Sequence, residues 1–110
     1  KELVRFIKDG FSTALMIDQR VSEGIQSNFF GEKASTTTIP AQLVKKYKIP
    51  VVPIFIERFD DIKFKMTVDE PINFEDNKSV EEITSELNKL LENMILRKPN
   101  FWIWSHNRWK

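Results

Sequence analysis

The chain has 110 residues, a formal net charge of +1 and no cysteine. That length suits one domain, residues 1–110, with a modest core. The charge balance removes a bulk electrostatic case for nucleic acid, and the missing thiols exclude disulfides, thiolate catalysis and zinc–thiolate centres. Apolar residues at 41% and charged residues at 30% are ordinary for a globular protein. No run of about 18 apolar residues is available to span a bilayer.

Leu3, Val4, Phe6 and Ile7 share one helical face, and Gly10 stands where such a helix would stop. The chain opens on Lys1 as if near the end of a helix, so we expect a C-terminal piece of a longer polypeptide. Ala14 to Ile17 is a short apolar run that predicts a buried strand. Asp18 to Ser35 is polar and carries Gly24 and Gly31 around the Phe29–Phe30 pair, which predicts a long, functional loop. Thr36 to Thr38 then precede Ile39–Pro40, a capping residue ahead of a first-turn proline. The predicted helix runs from Pro40 to Tyr47, with Pro50 beyond it.

Val51 to Ile56 is continuously apolar and predicts a strand buried on both faces, although Pro53 argues for an edge or a bulge. Ile62 to Val68 alternates apolar and polar residues and predicts a half-exposed strand. Phe59, Asp60 and Asp61 between the two are short enough for a hairpin. Val80 to Leu96 carries the clearest helical pattern. Ser79 and Glu82 fit a capping box, Val80, Ile83, Leu87, Leu90, Leu91, Met94 and Ile95 form an apolar stripe, and Pro99 ends it.

The final segment, Pro99 to Lys110, holds all three tryptophans and the only histidine. Trp102 and Trp104 would share one face of an extended chain. Two readings stand: a segment docked on the core, or a surface that meets a lipid, an acidic ligand or a partner.

One histidine and no glycine-rich phosphate loop leave little room for a metal site, a Ser/His/Asp triad or a P-loop. His106 has no acidic neighbour in sequence to orient it. Asp18, Gln19 and Arg20 follow the first predicted strand, and Glu57–Arg58 follows the second. With the Pro40–Tyr47 helix between them, the strands would be parallel and right-handed in crossover, so Asp18 and Arg58 would share one carboxyl edge. There Arg58 could grip a carboxylate or phosphate, or simply pair with Asp18 or Asp60. The start of the Pro40–Tyr47 helix is a weak anion-contact candidate.

Together, Met16-Ile-Asp-Gln-Arg20, Asn28-Phe-Phe-Gly31 with Ala34 and Thr36–Thr38, Ile49-Pro-Val-Val-Pro53 with Arg58, and the terminal Pro99-Asn-Phe-Trp-Ile-Trp-Ser-His-Asn-Arg-Trp-Lys110 resemble the C-terminal half of the lipid A biosynthesis acyltransferases. The terminal block is very specific, and the Ile49–Pro53 block is shared more loosely with glycerolphosphate acyltransferases. The resemblance implies an α/β fold: a partial mixed sheet with flanking helices, the C-terminal half of a glycerolphosphate-acyltransferase-like fold. It implies transfer of an acyl chain from acyl carrier protein, as donor substrate and not cofactor, to a hydroxyl of a phosphorylated glucosamine lipid A precursor. It implies a location on the cytoplasmic face of the bacterial inner membrane for the full-length protein, with a soluble fragment.

The family's base is a histidine with an acidic residue five positions on, in its N-terminal half. His106 has four residues after it, so these 110 residues hold no such pair and no catalytic residue or metal ligand is assigned. The substrate-binding candidates are Asp18, Gln19 and Arg20 near the mouth, Phe29, Phe30 and Gly31 shaping a pocket unless the two phenylalanines are plain core, and Arg58. Arg108, with Lys110, is expected to be displayed toward headgroups or a phosphorylated substrate. The alternative is a non-catalytic lipid- or partner-binding α/β module. A half-fold would leave an unpaired edge or an uncovered apolar face, so self-association or marginal stability is expected.

Overall fold

The computed structural model describes residues 2–110. In chain order its elements are helix α1 (Glu2–Lys8), strands β1 (Ile25–Phe29) and β2 (Glu32–Thr36), helix α2 (Ile39–Tyr47), strands β3 (Ile54–Phe59) and β4 (Lys63–Val68), and helix α3 (Val80–Arg97). A 3₁₀ turn at Pro99–Phe101 follows. The class is α/β, with the strands divided between two antiparallel pairs, β1–β2 and β3–β4. Among the described residues, no helix is long and apolar enough to cross a membrane.

Helix α3 is the spine. Both halves of its capping box form: Glu82 N–H donates to Ser79 Oγ at 3.0 Å, and Ser79 N–H donates to Glu82 Oε2 at 2.7 Å. Its stripe serves two cores. Ile83 and Leu87 pack on Ala41 and Val44 of α2, with Ile17, Val51 and Phe74 around them. One turn further on, Leu91 and Ile95 pack on Phe29, Ala34, Trp102 and Trp109. The start of α2 is less regular than expected. Thr38 makes no side-chain cap; instead Thr37 Oγ1 accepts from Ile39 N–H, and Thr38 Oγ1 accepts from Gln42 Nε2.

Three expectations about the strands are corrected. Ala14 to Ile17 is irregular, and Met16 is 85% exposed. Among the described residues no strand pairs with this run, so it lacks the ladder bonds a strand requires. Asp18 to Ser35 is only partly loop, because β1 and β2 form a hairpin in register Ser27↔Ala34. Its two-residue turn is Phe30–Gly31, with φ of 51° and 84°, the pair of positive values that a type I′ turn requires. The strand expected at Val51–Ile56 lies at Ile54–Phe59 and is largely exposed, while Val51 makes an isolated bridge with Ile72.

The strand–helix–strand unit with parallel strands does not form. Arg58 therefore lies within β3, opposite Phe64, and shares no strand edge with Asp18. The hairpin expected around Phe59–Asp61 is present, turning through positive φ at Asp60 and Asp61. This second hairpin is tied to the body at its base. Arg97 of α3 forks onto Asp69 at 2.7 and 3.4 Å and lies 5.7 Å over the Phe55 ring. Helix α1 carries no buried residue, and Gly10 at φ 87° ends it.

Candidate functional site

The densest polar and aromatic constellation surrounds the β1–β2 turn. Phe29 is fully buried at the end of β1. The terminal block wraps it: Trp109 lies 5.5 Å from its ring and Trp102 5.8 Å, in tilted and edge-on contacts. Trp104 stands 6.0 Å from Phe30 and edge-on to Trp102 at 4.7 Å. Each such contact adds about 0.5–1.5 kcal/mol beyond area burial. Two of the three indole N–H groups find partners: Trp109 Nε1 donates to Phe29 O at 3.0 Å, and Trp104 Nε1 donates to Pro99 O at 2.6 Å. The terminal segment docks on the core, so this is the first of its two readings.

Arg108 sits inside this wrap with no exposed surface. Its guanidinium donates to Ser35 O at 2.6 Å and to Thr36 Oγ1 at 2.9 Å, and lies 5.3 Å over the Phe29 ring. The expectation that Arg108 is displayed toward a headgroup is therefore corrected; Lys110, two residues on, is exposed. The cause is that β2 offers two oxygens beside an aromatic face, a better seat for a planar fork than for an ammonium. Burial pushes the guanidinium down from its ordinary value, and the charge of Asp18 partly restores it. The Nε–H has no partner among the described residues.

Helix α3 holds the other side of the turn. Glu92 Oε1 accepts from Phe30 N–H at 2.7 Å, and Glu92 Oε2 accepts from Lys89 Nζ at 2.7 Å. Burial pushes the Glu92 carboxyl up, but the bonds from Lys89 and Phe30 outweigh it and hold the group below its ordinary value. Asn88 Nδ2 donates to Asn28 O and Thr36 Oγ1, both at 3.1 Å. Thr36 Oγ1 in turn donates to Ala34 O at 3.0 Å. Gly24 is needed where the incoming loop crosses β2, since a Cβ there would stand 2.5 Å from Thr36 O. An open depression of about 480 Å³ lies beside Gly31, lined by Asn28, Ser85, Glu86, Lys89 and Glu92.

Of the residues singled out from sequence, Phe29, Phe30, Gly31 and Arg108 come together, with Asp18 half-buried and electrostatically coupled to Arg108. Gln19 and Arg20 are exposed on the same loop, and Arg58 belongs to the other hairpin. Sequence reasoning missed Asn88 and Glu92, and placed Thr36 only ahead of a helix start and in a motif block, not in this network. The readable signal was Thr84, Asn88 and Glu92 at i, i+4 spacing beside the stripe, a polar row that the structure buries. His106 is exposed and its backbone N–H donates to Ile103 O. Among the described residues, no three His, Cys, Asp or Glu converge as metal ligands. The arrangement shapes the turn, with the Lys89 cation and the Glu86 and Glu92 carboxylates lining the depression beside it.

A comparison with curated proteins finds no match. The model of the bacterial lipid A biosynthesis acyltransferase family matches residues 1–110, the whole chain. The docked terminal block and the Phe29–Gly31 turn are two of the motif blocks that carry the resemblance. The chain belongs to the bacterial lipid A biosynthesis acyltransferase family.

Proposed function

We propose that this chain is the C-terminal, substrate-side portion of an acyltransferase that acts with acyl carrier protein as donor and a phosphorylated glucosamine lipid as acceptor. The family match over all 110 residues supports this reading most directly. In the reaction, the acceptor hydroxyl oxygen attacks the thioester carbonyl and a histidine takes its proton. The carbon–sulfur bond breaks, the carrier thiol leaves protonated, and an ester remains. The histidine needs a carboxylate to orient it. His106 has none bonded to it among the described residues, so the base belongs to another part of the enzyme.

The parts played here are binding and positioning. Asp18, Gln19 and Arg20 flank the mouth, and Arg58 meets a substrate phosphate with its planar fork. Phe30 and Gly31 shape the wall above the depression. Phe29 and Arg108 act indirectly, by holding the hairpin that carries that wall. The enzyme works at the cytoplasmic face of the inner membrane, where its lipid acceptor lies.

The test is acyl transfer from acyl carrier protein to a lipid A precursor, run on this chain and on the full product of its reading frame. Activity in the longer protein alone is the expected result. Activity in the 110 residues would overturn the assignment of the base. Absence of transfer in both, with retained lipid binding, would favour a non-catalytic binding module.

A further inference from the structure

The stretch that carries Asp18, Gln19 and Arg20 is thinly held. Among the described residues, no backbone–backbone hydrogen bond involves residues 12–24. Its upstream end is fixed by packing, since Ile17 lies against the α2–α3 core. Its downstream end is fixed by close approach, at Gly24 against the Thr36 backbone. Between them, one side-chain bond reaches the loop among the described residues: Ser35 Oγ donates to Val21 O at 2.6 Å. Val21 directly follows Arg20, so this bond anchors the three candidate residues from the side opposite Ile17.

Ser35 is itself gripped. Ala34 and Thr36 turn to the buried face of β2, so alternation aims the Ser35 side chain at the opposite face, where the loop passes. Counting outward from the Phe30–Gly31 turn, Ser35 and Gln26 form a wide pair whose backbone groups point away from the partner strand. The Ser35 carbonyl therefore faces the free edge of β2, and Arg108 donates to it at 2.6 Å. The other arm of the guanidinium holds Thr36 Oγ1, on the residue against which Gly24 rests. A planar fork binds two oxygens at once and loses little freedom in doing so. The docked terminal block and the Asp18–Arg20 loop thus meet at two adjacent residues of β2. The Asp18 charge also acts on the buried guanidinium, so its carboxylate belongs to the same neighbourhood.

We propose that Ser35 is a positioning residue for acceptor binding: it fixes the Asp18–Gln19–Arg20 loop through Val21 and is itself set in place by Arg108. The role rests on reading the chain as the substrate side of an acyltransferase. Ser35 touches no substrate; through it, docking of the terminal block decides where the mouth loop stands. The exposed Arg20 guanidinium, next to the anchored residue, suits a phosphate of the acceptor. Removing one ordinary hydrogen bond shifts the balance between held and released loop by up to about tenfold. Affinity for the acceptor then falls in proportion to the held fraction. The chemical step is untouched, because acceptor bound to the held loop reacts as before.

Two variants test it: Ser35→Ala removes the hydroxyl and Ser35→Thr keeps it. In this chain, nitrogen-15 relaxation is expected to show the Gln19 and Arg20 order parameters falling from about 0.85 to about 0.6 or below in Ser35→Ala. They should stay high in Ser35→Thr, and those of β1–β2 should hold in both. In the full product of the reading frame, Ser35→Ala is expected to raise the acceptor KM about three- to tenfold with kcat and the donor KM unchanged, and Ser35→Thr to restore it. Arg108→Met is expected to raise the same KM, and no further when combined with Ser35→Ala; additive effects would break the link to Arg108. Unchanged loop order in Ser35→Ala overturns the proposal. A loosened loop with unchanged acceptor KM in an active enzyme, or a fall in kcat in place of the rise in KM, overturns it equally. Wild-type enzyme that transfers nothing defeats the acyltransferase reading and the positioning role with it, while the relaxation data still show whether Ser35 holds the loop.

Discussion

Replacing Arg108 by alanine tests whether this side chain serves the fold or the surface. In the structure it donates to Ser35 O at 2.6 Å and to Thr36 Oγ1 at 2.9 Å from a site with no exposure. Two bonds from a charged donor contribute about 1.5–3 kcal/mol each. Against them stands the cost of keeping a cation from water with no carboxylate at bonding distance among the described residues, several kcal/mol in magnitude. Alanine relieves that cost but leaves Ser35 O unpaired and a cavity beneath the Phe29 ring. The net loss is expected at about 2–4 kcal/mol. Arg108→Met keeps the bulk and drops the charge, so its loss should be smaller, about 0–2 kcal/mol. Urea unfolding followed by tryptophan fluorescence measures both, because Trp102 and Trp109 lie in the same cluster. A change for alanine within about 0.5 kcal/mol, the range of ordinary surface sites, would refute the argument and return Arg108 to the surface role.

Four further outcomes follow from the same geometry. Gly31→Ala forces a side chain into φ 84° and should cost about 1–2 kcal/mol in denaturant unfolding. Gly24→Ala presses a Cβ against Thr36 O, so a loss of about 1–3 kcal/mol is expected, with changed amide shifts at Thr36 by NMR. The Glu92 carboxyl lies below its ordinary value in the folded chain, so its stabilising contribution is present above that value and disappears as pH falls through the lowered one. Stability measured below neutral pH should fall on acidification through that window, and Glu92→Gln should flatten the slope; an unchanged slope would rule Glu92 out as its source. Ser79→Ala removes one half of the capping box and should cost about 1 kcal/mol, read as a lower urea midpoint at unchanged m-value.

What could be read from sequence was what local chemistry decides. Helix α3 has its cap, its stripe and its stop within one stretch, and the structure reproduces all three. Strand β4 and the Asp60–Asp61 turn were equally legible, because the alternation and the turn lie together, whereas β3 was expected three residues early and buried. The β1–β2 hairpin was not. Its inward row, Ile25, Ser27 and Phe29, contains a serine, and its turn places phenylalanine where asparagine or glycine is usual. The positive φ of Phe30 is sustained by Glu92, which accepts its N–H from 62 residues away. Ala14–Ile17 failed for the opposite reason: an apolar run shows what would gain from burial, but nothing about whether a neighbour exists to bury it. Arg108 combined both difficulties, since its seat on Ser35 and Thr36 lies 73 and 72 positions earlier in the chain.

The two hairpins act as a natural control on what covers a sheet. Both have two strands and turn through a pair of positive φ residues, and neither would be stable alone in water. The first gains α3 on its inner face and the aromatic block at its end, and those partners bury Phe29 completely. The second is anchored at its base by Arg97 on Asp69, a partly exposed ion pair worth little by itself. Its apolar row therefore stays in water. Amide hydrogen exchange should accordingly be faster in β3–β4 than in β1–β2. Equal protection of the two hairpins would mean that the contact at its base holds the second as firmly as a covered face holds the first.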